Sequence, residues 1–83
     1  AAAAARREAA VQDELLAALE AAGQPVVEGW LDRIRETLDA ANSLEDLALR
    51  LLALYPGLGT DDLTTVVGQA MALANVSGRD LNA

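Results

Sequence analysis

Few side chains in this sequence are of a type that could do chemistry, and they fall into small groups. Asp61–Asp62 and Glu45–Asp46 are adjacent carboxylates, the arrangement a general acid/base pair or a hard-cation site would use. Glu28, Asp32 and Glu36 recur at i, i+4, so a single helix would bring three carboxylates to one face. Ser43 offers a hydroxyl, with Asp46 three residues further on. Arg33 and Arg35 offer two guanidinium groups, too few for a phosphate site. Trp30 and Tyr55 are the only aromatic residues, and either could stack on a planar ligand.

Composition removes most other chemistry. There is no Cys and no His, and all six basic residues are Arg. Disulfides, thiolate zinc sites, imidazole catalysis and Schiff-base formation are therefore excluded within this chain. A net charge of -7 argues against direct nucleic-acid binding, because phosphate contacts need a basic face. No apolar run approaches the roughly 20 residues of a membrane span, and the order of Ala run and Arg6-Arg7 is the reverse of a secretory signal. The chain begins without Met, so a fragment of a longer protein is expected.

The elements that must position these groups are helices. Ala and Leu dominate while the aromatic strand formers are nearly absent, which favours helix over strand. An all-α bundle of four helices is expected at about 8–22, 25–41, 44–55 and 61–77, with the last three forming the core. Residues 1–7 would be an Ala-rich extension, frayed or continuing an upstream helix. The helical domain would span 8–79, and 80–83 would fray.

In the first helix Val11, Leu15, Ala18, Leu19 and Ala22 share one face, and Gly23 supplies the stop. Pro25 suits the first position of the second helix, which would bury Val27, Trp30, Ile34, Leu38 and Ala41. Its outer face would carry Glu28, Asp32, Arg33, Arg35, Glu36 and Asp39, with Asp32 and Arg35 able to pair. Gly29 is a weak spot there, or a place where another helix approaches closely.

Ser43 opens the third helix as an N-cap, with Asp46 completing a box-like pair. Leu44, Leu47, Ala48, Leu51, Leu54 and Tyr55 form one stripe, widened by Leu49 and Leu52. A helix apolar on most sides is expected at the centre of the bundle. Pro56 and Gly57 end it. Thr60 then caps the fourth helix, whose buried face is Leu63, Val66, Val67, Ala70 and Ala74, and Gly78 fits the left-handed position past its end. Met71, Leu73 and Val76 fall beyond that stripe. They are a candidate interaction surface, or they pack against the first helix.

Placed on these helices, the candidate sites lose most of their chemistry. Asp61–Asp62 and Glu45–Asp46 sit where a helix N-terminus favours negative charge. Glu28, Asp32 and Glu36 read as a solvated acidic face. Trp30 and Tyr55 fall on buried stripes and read as core anchors. No catalytic, cofactor or metal site is assigned. A Ser-Leu pair opening a helix in a small acidic four-helix domain also resembles acyl carrier proteins, whose serine bears phosphopantetheine. Here, though, Asn42 replaces the usual Asp, a Pro25-initiated helix replaces the long loop between the first two carrier helices, and Ser43 is accounted for as a cap.

A different resemblance covers most of Gln12 to Arg79. The pattern S-L-E-D-L, then L-L-A-L-Y-P, a short acidic turn, and a helix ending A-M-A-L-A-N-V-S-G-R is similar to the C-terminus of portal proteins of Mu-like phages and prophages. Met71 stands where a bulky aromatic is expected. The resemblance implies a structural, non-enzymatic module of a protein that forms a homo-oligomeric ring at a capsid vertex. Its partners would be other portal subunits or head–tail assembly proteins. The ring would assemble in the bacterial cytoplasm and end in the virion, with no site residue carried over. A helical interaction or regulatory domain with another partner is the alternative.

Overall fold

Twenty residues from Ala2 to Ala21 form the first helix, α1, and glycine ends it as the sequence suggests. Gly23 takes a φ of 74°, its N–H bonds to the Glu20 carbonyl, and the Gln24 N–H reaches back to Leu19. That pair of bonds is the Schellman closure, which needs a left-handed residue. In this computed structural model residues 2–78 are described. They form an all-α, four-helix bundle of α1, α2 (Trp30–Ala40), α3 (Leu44–Leu54) and α4 (Thr60–Val76). Arg79 and the expected frayed tail 80–83 lie outside the described residues. Residues 2–7, expected as an extension, are continuous with α1.

The second helix starts later than Pro25. Residues 24–27 are irregular, and a turn closed by the Trp30 N–H on the Val27 carbonyl leads into α2. Gly29, at φ 85° and ψ 4°, is its N-cap residue. A helix from Pro25 would require right-handed backbone at Gly29, and the chain uses the glycine for the opposite hand. No helix crowds it, for a Cβ there would meet nothing within 4 Å. Val27 consequently points away from the core and is 53% exposed.

The core draws on all four helices rather than on the last three. Leu15 and Leu19 of α1 are fully buried, together with Ile34, Leu47, Leu51, Val66 and Ala70. Val11, Ala18 and Ala22 pack against this cluster, as do Trp30 and Ala41. The most extensive interface is between α1 and α4, and α4 also meets α3 and α2. The central helix is therefore α4, not α3. Length and size both favour the choice: α1 and α4 are the two longest helices, and Ala70 and Ala74, both buried on α4, leave room for a neighbouring backbone. Leu49 of α3 remains 62% exposed.

Candidate functional site

The acidic pairs and Ser43 are occupied with helix ends. The Ser43 Oγ accepts from the Asp46 N–H at 3.1 Å, as the capping pattern predicts. The short Asp46 side chain answers one residue further back than a capping box would. Its Oδ2 accepts from the Asn42 N–H at 3.0 Å and from Arg50 Nε at 2.9 Å. These bonds, Arg50 first, hold the Asp46 carboxyl below its ordinary value. Asp61 and Asp62 lie in the first turn of α4, where the exposed N–H groups favour them. Thr60 is not the cap. Gly59 holds that position and its carbonyl takes the first helical bond, from Leu63 at 2.8 Å, while Thr60 is already helical.

The expected acidic face does not form as read, because Glu28 precedes α2. Arg35 turns from Asp32 to Glu8 of α1 at 3.0 Å, and Ser77 Oγ donates to the same carboxylate oxygen at 3.2 Å. Glu8 thus links α1, α2 and the end of α4. Among the described residues no group of three or more acidic side chains could hold a metal ion.

Of the surface proposed on α4, Leu73 is in the core at 1% exposure and offers nothing to a partner. An α-helix carries Leu73 one turn from Ala70 and two turns from Val66, so the buried stripe is wider than the spacing first suggested. Met71 and Val76 are half-buried and pack against the core. The Gly78 reading holds: its φ is 79°, and its N–H bonds to the Asn75 carbonyl.

Among the surface concavities of the described residues, two have mainly apolar walls. One is an open groove of about 490 Å³ between α3 and α4, lined by Leu44, Ala48, Leu63 and Val67 with Ser43, Glu45 and Thr64 at its edge. The other is a cleft of about 320 Å³ where residues 24–27 face residues 54–57. Both aromatics and both prolines line it: Pro25, Trp30, Tyr55 and Pro56, with Gln24, Val27 and Arg33. Tyr55 is nearly buried, and that burial pushes its phenol up, against the opposing charge of Arg33. Trp30 is only half-buried, so it is a cleft wall as well as a core anchor.

Sequence reasoning missed this cleft because its two sides are irregular segments far apart in the chain. Leu58 was missed as well. It is buried in the turn after Pro56-Gly57, its N–H bonded to the Tyr55 carbonyl at 3.1 Å. The one signal for it was an isolated apolar residue between two glycines. No family model matches this chain, and neither the curated proteins nor the solved structures give a match.

Proposed function

We propose that this chain is a structural assembly module, equivalent to the C-terminal domain of a Mu-like phage portal protein. The observation that carries the reading is the unit from Ser43 to Gly78, whose sequence pattern resembles that family. Its distinctive residues have structural roles: Ser43 caps α3, Tyr55 is buried at the end of α3, and Gly78 closes α4. Ser43 and Asp46 are bonded at the start of α3, and Asp61 and Asp62 lie in the first turn of α4, which suits a part that positions other parts. The acidic surface suits a place where packaged DNA must not stick. On this reading the protein that carries the domain is a ring of identical subunits in the virion, touching portal and head–tail proteins. Native mass spectrometry of the gene's whole product should find one closed oligomer. A product that stays monomeric at micromolar concentration contradicts the proposal.

The carrier reading has a direct test in Ser43. The connection from α1 is irregular over residues 22–29, so the objection from a Pro25-initiated helix applies only from Trp30 onward. The stronger objection is that the Ser43 oxygen is bonded to the Asp46 N–H. Treatment with a phosphopantetheinyl transferase and coenzyme A should leave the mass unchanged, and gain of the arm on Ser43 would establish a carrier instead.

A further inference from the structure

We propose that the cleft between residues 24–27 and 54–57 docks a segment of another protein in which a bulky apolar side chain stands beside a carboxylate. The proposal goes beyond ring assembly and does not rest on it, since only the chemistry of the cleft enters.

The apolar half of the specificity comes from the walls. Trp30 is half-buried, Tyr55 forms the floor, Pro25 and Pro56 are exposed, and Val27 is 53% exposed at the mouth. Aromatic and proline surfaces of this kind receive a flat or branched side chain at little entropic cost, because ring side chains have few rotamers to lose. The wall at Gly57 is set by contact: a Cβ there would lie 2.9 Å from Gln24 Nε2, whose amide donates to the Ala22 carbonyl at 3.3 Å.

The carboxylate comes from Arg33, the charged residue that lines the cleft. Arg35 and Arg50 are paired with Glu8 and Asp46, while among the described residues no carboxylate pairs with the Arg33 guanidinium. In a chain of 13 acidic and 6 basic residues, the cleft thus carries one cation and no carboxylate of its own. A guanidinium beside an aromatic wall prefers a planar carboxylate, which it can bind through two parallel hydrogen bonds.

The occupant is a chain segment rather than a free acid because of the backbone beside the cleft. The N–H groups of Val26, Val27 and Glu28 make no backbone hydrogen bond among the described residues. Backbone donors left open in this way can take the carbonyl groups of a peptide while the adjoining cleft takes one of its side chains. The volume of about 320 Å³ is at the small end for ligand pockets and suits one side chain better than a whole cofactor.

Trp30, the single tryptophan, reports on the cleft directly. Its fluorescence in the intact 83-residue chain would be followed while adding acetyl-Val-Phe-Asp-Val-amide, the Asn analogue of that peptide, or 3-phenylpropionate. Saturable binding of the Asp peptide is expected, weaker by about tenfold for the Asn peptide and for the Arg33→Gln variant. Arg33 is exposed, so far-UV circular dichroism should show the variant folded. Val27→Glu, which places a competing carboxylate at the cleft mouth, should weaken the Asp peptide similarly and decides the matter if Arg33→Gln is unstable. Equal affinity for the Asp and Asn peptides, no saturation, or 3-phenylpropionate binding as tightly as the peptide would overturn the proposal.

Discussion

Asp46 Oδ2 accepts both the Asn42 N–H and the Arg50 guanidinium, and the consequence is a pH-dependent contribution to stability. Its folded-state value is depressed, so the folded chain takes up that proton less readily than the unfolded one. The contribution is complete above the unfolded carboxylate value of ~3.9 and is lost as pH falls through the lower folded value. Urea midpoints of Asp46→Asn should therefore fall less steeply on the acid side than those of the parent. Tyr55 has the opposite sign. Burial raises its phenol, so its contribution is complete below the unfolded value of ~10 and is lost as pH rises through the folded one. Tyr55→Phe should remove that alkaline loss, checked by the same midpoints between neutrality and high pH. Leu73 decides between a core and a docking role. At 1% exposure, Leu73→Ala should cost about 2–5 kcal/mol in chemical denaturation, where a surface leucine would cost almost nothing.

At the scale of elements, two glycines with open surroundings should respond in opposite directions. A Cβ would meet nothing within 4 Å at either Gly29 or Gly68. Gly68 lies inside α4, so Gly68→Ala should raise stability by about 1 kcal/mol through helix propensity alone. Gly29 holds φ at 85°, so Gly29→Ala should lower it by about 1–2 kcal/mol. Thermal midpoints of the two variants would show the sign. The same glycine marks where the sequence stopped being legible. Helix ends with a chemical stop or a side-chain cap, at Gly23, Ser43 and Gly78, could be read directly. The start of α2 could not, because Pro25 is a permitted helix opener and only the hand of Gly29 revokes it. Thr60 misled for a related reason: Gly59 can cap through its backbone, which leaves no trace in residue type. Pairings between elements were equally hidden. Periodicity marked the buried faces of α1 and α4, but their close approach depends on where alanines meet in space. The cleft at Trp30 and Arg33 was unreadable for the same cause, since its walls are brought together only by the packing of α2 and α3.

At the scale of the whole molecule, the bundle is closed by contacts among all four helices and, among the described residues, keeps two concavities with mainly apolar walls. The α3–α4 groove with exposed Leu49 and the Trp30 cleft both remain open to a neighbour. On the proposed reading, these grooves are where the domain would be held against other protein surfaces. Among the described residues no helix is long and apolar enough to cross a membrane. Whether this domain is carried by a ring-forming portal protein, as proposed, can be seen by electron microscopy of the gene's whole product. Closed rings with one copy of this four-helix domain per subunit are the expected result. Particles without rotational symmetry, under conditions where the protein is folded, would contradict it.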